Sequence, residues 1–183
     1  MPLDATRNSL VLPLLGLLVE QPAHAYDLTS RLATRYAHLT VTRSSVTSLL
    51  RSLAAAGLVQ PRPPERVGRR PPRTAYELTE AGLAGFRSRV EEGLRDAPAA
   101  SPVFVTALAY VSILARTQAV EILQARIERL GRERDALDDA APPEVTDIHM
   151  IEVSYWRRIL TVEAGWLAAF SARISAGDYR WTG

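Results

Sequence analysis

Three features predict a mainly α protein in two parts. Most apolar residues recur at steps of three and four, the period of buried helix faces rather than of strands. Between Thr42 and Gly82 an amphipathic helical pattern is followed by two short apolar runs that flank a Pro- and Arg-rich stretch. Beyond Pro102 the patterns are helical throughout. The predicted architecture is an N-terminal winged helix-turn-helix, built of helices plus a two-stranded wing, and an all-helical C-terminal domain. The expected boundaries are 1–96 for the first domain, 97–103 for a linker and 104–183 for the second.

The elements follow in order. Ser9 to Glu20 is strongly apolar and reads as a core helix, with Pro13 tolerable in its first turn. Gln21, Pro22 and Ala23 end it. Tyr26, Leu28, Leu32 and Tyr36 fit a second helix from Ala25 to Tyr36. After a turn, Val46, Leu49, Leu50 and Leu53 fall at i, i+3, i+4 and i+7, one buried face of a third helix. Thr42 is placed to cap its start and Gly57 to end it. Leu58 to Arg62 and Thr74 to Leu78 are candidate strands. Pro61, Pro63 and Pro64 suit an edge strand, where a missing N–H does no harm. A helix opens at Thr79 and Glu80 and runs through Phe86, Val90 and Leu94.

The stretch DAPAASP, residues 96–102, has linker composition. Phe104, Leu108, Val111 and Ala115 then mark a short helix. Val120, Leu123, Ile127, Leu130 and Leu137 trace a heptad-like seam interrupted by Arg134. A second break follows at 138–143. The last helix carries Ile148, Ile151, Tyr155, Ile159, Val162, Trp166, Phe170 and Ile174 at steps of three or four. Trp156, Leu160 and Leu167 form a second stripe beside the first. Two apolar stripes on one helix exceed what one neighbour covers. The stripe Ile148, Ile151, Tyr155, Ile159, Val162, Trp166 and Phe170 is therefore expected to form a homodimer interface.

Composition narrows the function. At 183 residues and 47% hydrophobic, the chain is long enough to bury a core. No apolar run approaches the roughly 20 residues of a membrane span, and the N-terminus lacks the pattern of a signal peptide. Cysteine is absent, which removes disulfides, thiol catalysis and thiolate metal sites. These features lead us to expect a cytoplasmic protein without membrane partners. His24, His38 and His149 make no close pair, so no metal is expected. Ser44-Ser45 has no nucleophile-elbow context, and Asp138-Asp139 reads as a solvated helix end. No cofactor and no enzyme activity are expected.

Charge points elsewhere. Residues 1–96 carry 13 Arg against 9 acids, whereas residues 97–183 carry 9 Arg against 11 acids. From Arg43 to Arg73 there are 7 Arg and one acid, Glu65. This local excess sits on the third helix and the wing, the footprint expected of a nucleic-acid surface. Arg43, Ser44, Ser45, Thr47, Ser48 and Arg51 on the helix, with Arg69, Arg70 and Arg73 on the wing, are the candidate DNA-binding residues.

AHAYDLTSRL (23–32), LLRSLAAAGLV (49–59) and GRRPPRTAYELTEAG (68–82) resemble the PadR family of transcriptional regulators. The second half more loosely resembles the helical C-terminal domain of its long, virulence-activator-like members. Ala25 stands where the family usually has Gly, and Thr47 where its recognition helix usually has an aromatic residue. The second departure bears on which operator is read. The resemblance implies a dimeric regulator, commonly a repressor, on pseudo-palindromic double-stranded operator DNA. It also implies release by a small, often aromatic, effector. Phe104, Tyr110, Tyr155, Trp156 and Trp166 are the candidate walls of such an effector site. A winged-helix module that binds protein instead of DNA is the competing expectation.

Overall fold

The structure, a computed structural model, describes residues 8–37, 39–64, 74–140 and 148–181. These residues form seven helices of more than one turn and a small antiparallel sheet, and the chain divides into two compact units, Met1–Arg89 and Val90–Gly183.

In the first unit, α1 (Val11–Glu20) is buried from Val11 to Leu18 and forms the centre of the core. Pro13 lies in its first turn, where an N–H has no helical partner anyway. α2 (Ala25–Arg35) is amphipathic and buries Leu28 and Leu32. Glu20 at the end of α1 pairs with Arg31 and Arg35 of α2, which joins the two helices at their surface. α3 (Arg43–Ala55) buries the four expected residues, Val46, Leu49, Leu50 and Leu53.

Both ends of α3 are fixed by local chemistry. At its start Thr42 Oγ1 accepts from Ser45 N–H at 3.1 Å, and Ser45 Oγ accepts from Thr42 N–H at 3.1 Å, a reciprocal capping box. At its end Gly57 takes φ +72°, the left-handed region. Gly57 N–H then donates to Ala54 O at 3.0 Å and Leu58 N–H to Leu53 O at 2.9 Å, closing a Schellman turn.

β2 (Val59–Pro61) pairs with β3 (Ala75–Leu78) in the register Val59↔Leu78, Gln60↔Glu77, Pro61↔Tyr76. A third strand extends the expected two. β1 (Ala23–His24) pairs with the other edge of β3, so the order is β1-β3-β2. Two residues are too short a run to show a period, which is why the sequence pattern does not reveal β1. Pro61 lies on the edge strand, as expected.

Thr79 links the sheet to α4 (Glu80–Asp96). Its hydroxyl donates to Gly57 O at 2.6 Å and accepts from Gly82 N–H at 2.9 Å. Gly82 is required here by close approach: a Cβ on it would lie 1.8 Å from the Leu58 carbonyl oxygen. Phe86, Val90 and Leu94 on α4 are fully buried.

The second unit begins within α4. Ser101 caps α5 (Pro102–Leu108), with Pro102 at its first position. α5 is shorter than the pattern to Ala115 suggested; a 3₁₀ turn at Val111–Ile113 leads into α6 (Arg116–Ala140). α7 spans Ile151–Ala176 and ends at Gly177, φ +82°. α6 and α7 run antiparallel. Gln124 meets Ser171, Arg126 meets Glu163, and Glu133 meets Trp156, in reversed order along the two helices. Their shared core contains Ala119, Ile122, Leu123 and Leu130 with Leu160, Leu167 and Ile174. Residues past α7 fold back on the unit: Trp181 Nε1 donates to Leu114 O at 2.8 Å, with the Arg116 guanidinium beside its ring.

Candidate nucleic-acid interface

α3 presents to solvent the face opposite its apolar stripe. Arg43, Ser44, Ser48 and Arg51 are exposed and Thr47 is half-buried, and together the five line one shallow groove along the helix. Among the described residues no carboxylate faces this groove. The Arg43 guanidinium lies 6.0 Å from the ring centre of Tyr26, at the start of α2. Tyr26 itself is 60% exposed.

The hydroxyls differ in what they have left to offer. Ser45 is committed to the cap: its Oγ accepts from Thr42 N–H and donates to Thr42 O at 2.7 Å. Thr47 Oγ1 donates to Arg43 O at 2.9 Å, which leaves its methyl group and its lone pairs facing outward. Ser44 Oγ lies 3.1 Å from Thr42 Oγ1. Arg62, at the root of the hairpin, is paired with Glu77 at 2.9 Å, so its charge is largely neutralised. Arg69, Arg70 and Arg73 lie outside the described residues, as does His38.

The five aromatic residues named as effector walls occupy three environments. Phe104 and Tyr110 are core residues. Trp156 is half-buried, with Nε1 donating to Glu133 Oε1 at 3.0 Å. Tyr155 and Trp166 face outward, 66% and 51% exposed. The outward pair belongs to the stripe named for dimerisation. Ile148, Ile151, Tyr155, Val162 and Trp166 are exposed and Ile159 and Phe170 half-buried, while Leu160, Leu167 and Ile174 on the other side of the helix are buried against the unit. Trp166 stacks on Phe170 at 5.0 Å between ring centres.

One polar group of the second unit escaped the sequence reading. Arg126, wholly buried, donates from Nε and Nη2 to Glu163 Oε1 at 2.9 and 2.7 Å. Nη1 reaches Leu94 O at 3.1 Å and Ala97 O at 2.8 Å, and Nη2 reaches Pro98 O at 3.3 Å. Its guanidinium lies 3.8 Å over the Phe104 ring. Burial pulls the Arg126 pKa below its ordinary value, and Glu163 opposes that shift. The stretch read as a linker is thus an anchored turn of the second unit, with Ala97 and Ala99 buried. The available signal was position: Arg126 falls between Leu123 and Leu130, and Glu163 between Leu160 and Leu167, both on packed faces.

Among the described residues, no three His, Asp or Glu side chains are grouped to hold a metal ion. No described helix is long and apolar enough to cross a membrane.

Residues 14–88 match the model of the transcriptional regulator PadR-like family. No curated protein matches the chain. Similar solved structures include Bacillus subtilis PadR in complex with operator DNA, at 20% identity over 91% of this chain and 99% of that one, with a TM-score of 0.45. Bacillus subtilis PadR in complex with p-coumaric acid is similar at 18% identity over 92% and 99%, TM-score 0.41. The Vibrio cholerae virulence activator AphA is similar at 20% identity over 92% and 96%, TM-score 0.35. Residues 14–88 are thus a domain of the transcriptional regulator PadR-like family.

Proposed function

We propose that the chain is a homodimeric transcriptional regulator that binds double-stranded operator DNA with α3 in the major groove. The observation that carries this reading is the outer face of α3. It pairs two exposed guanidiniums with short hydroxyl side chains on a helix capped at both ends. Arg43 and Arg51 supply the charge, and Thr47 and Ser48 are short enough to let the helix approach base edges. Ser45 shapes the helix rather than reading bases. Arg69, Arg70 and Arg73 are assigned to phosphates or the adjacent minor groove.

The dimer rests on the outward stripe of α7. An apolar row of this length is the kind of face that a second copy covers. Two-fold symmetry then calls for a pseudo-palindrome with half-site centres about one helical turn, ~10 bp, or a multiple apart. Repression, and release by a small aromatic effector, are what the family resemblance adds. Selection of bound fragments from the source genome, followed by footprinting, tests the reading. Two protected half-sites and affinity falling steeply with salt are the expected result. Binding to no duplex above background would refute it and favour the protein-binding module.

A further inference from the structure

Five residues line one depression in the first unit, and four of them, all but Arg43, have no part in the function proposed above. His24 comes from β1, Ala25 and Tyr26 from the first turn of α2, Arg43 from the start of α3, and Thr74 from the position just before β3. The depression has a volume of about 350 Å³. Among the described residues no carboxylate lines it. Arg43 stands over the Tyr26 ring, and neither Tyr26 nor Thr74 spends its hydroxyl on another described group. His24 Nδ1 is buried without a hydrogen-bond partner, the kind of group that native proteins satisfy with a ligand or an ordered water. The cavity also lies at the positive end of the α3 dipole, where anions are favoured.

We infer that this depression seats one backbone phosphate of the duplex in each half-site. The Arg43 guanidinium supplies the charge, and the Tyr26 and Thr74 hydroxyls donate to the non-bridging oxygens. Tyr26 has a second part, because its ring face holds the guanidinium in place. Phosphate contacts carry no sequence information but set register and orientation. This seat fixes the depth at which α3 enters the groove, so Thr47 and Ser48 meet base edges at a set distance. The inference rests on the DNA-binding reading.

The test uses the full-length chain and duplexes bearing one neutral methylphosphonate, moved position by position along each strand. The proteins are the unmodified chain, Tyr26→Phe, Thr74→Val and the double variant. Both substitutions remove a hydroxyl and keep the shape. Each should weaken binding roughly tenfold, as expected for a hydrogen bond to a charged group, on every sequence alike. The salt slope should stay unchanged, because no cation is lost, whereas Arg43→Gln should lower it by about one per half-site, or about two for the dimer. One methylphosphonate position per half-site should weaken the unmodified protein more than the double variant, in which the Arg43 guanidinium alone still meets that phosphate. If the unmodified protein binds DNA but both single variants bind equally well, the inference fails and the DNA reading stands. Additive effects of the methylphosphonate and the substitutions at every position would likewise overturn it. If the unmodified protein binds no duplex, the DNA reading itself falls, before any variant is compared.

Discussion

Removing one partner of the buried Arg126–Glu163 pair should be among the most damaging single changes to this chain. Arg126 has no exposed side-chain surface and Glu163 has 10%. Glu163→Ala strands the guanidinium among three carbonyls, which are poorer partners for its charge than a carboxylate. Arg126→Met strands Glu163, whose Oε2 then keeps only the Ala100 N–H at 2.6 Å. Breaking a buried pair from either side costs about 3–5 kcal/mol, because the remaining charge has lost its compensation. For a unit of this size that lowers the melting temperature by on the order of 15 °C or more. The double change Arg126→Met with Glu163→Leu removes both charges together. What remains is the unpaired carbonyl of Leu94 and the Ala100 N–H, since Ala97 O keeps Arg129 Nη2 at 3.1 Å and Pro98 O keeps the Ser101 N–H at 3.3 Å. That residue of loss is about 1–3 kcal/mol per group left dry, less where water reaches it. The double variant should therefore be several kcal/mol more stable than the sum of the singles predicts. Urea unfolding followed by tryptophan fluorescence reads this, since Trp156, Trp166 and Trp181 all belong to the second unit. Single variants within about 1 kcal/mol of the parent, or a double variant as unstable as the sum, would refute the reasoning.

Three further outcomes are expected. Trp166→Glu should leave the helical circular dichroism intact, because the side chain is half exposed in the single chain, yet give a monomer in sedimentation where the parent gives a dimer. Thr47→Ala should change preference at one base pair per half-site by about 1 kcal/mol while non-specific affinity holds, because the hydroxyl already donates to Arg43 O and only the methyl and lone pairs remain to read. Competitive binding to a library randomised at each operator position measures this. Arg70→Ala should weaken binding to all sequences alike and lower the salt slope by about one per half-site, or about two for the dimer, as loss of one phosphate contact per chain does; titrations at several salt concentrations give the slope.

Much of the first unit was legible because its signals are local. Thr42 and Gly57 announced the ends of α3, and the four-residue apolar stripe announced its buried face. The Thr-x-x-Gly at 79–82 marked the start of α4, and the distance from Gly82 to Leu58 O supplies the reason. β1 was not legible, because strand pairing is a long-range event and two residues carry no period. Ser45 was read as a DNA contact from composition, and only hydrogen bonding shows that its hydroxyl is held by the cap. Tyr26 was read as a helix residue, and its place beside Arg43 depends on how α2 meets α3. Arg126 was missed because a charged residue on an apolar seam reads as an interruption; its acid partner lies 37 positions away on another helix. The two stripes of α7 were legible together, but only packing tells which one is spent inside the chain.

The Thr79 knot has a consequence for change over time. One hydroxyl ties the last turn of α3, the root of the hairpin and the first turn of α4, and three paired positions hold the hairpin register on the same side of that knot. Arg62 N–H still pairs with Ala75 O at 2.8 Å, and residues 63–73 join the two strands in sequence after it. Lengthening a loop twofold costs only about 0.6 kcal/mol, so insertions there are cheap and leave the register undisturbed. The stretch behaves as an exchangeable cassette: its length and charge can drift, or be grafted from a relative, while the orientation of α3 is inherited unchanged.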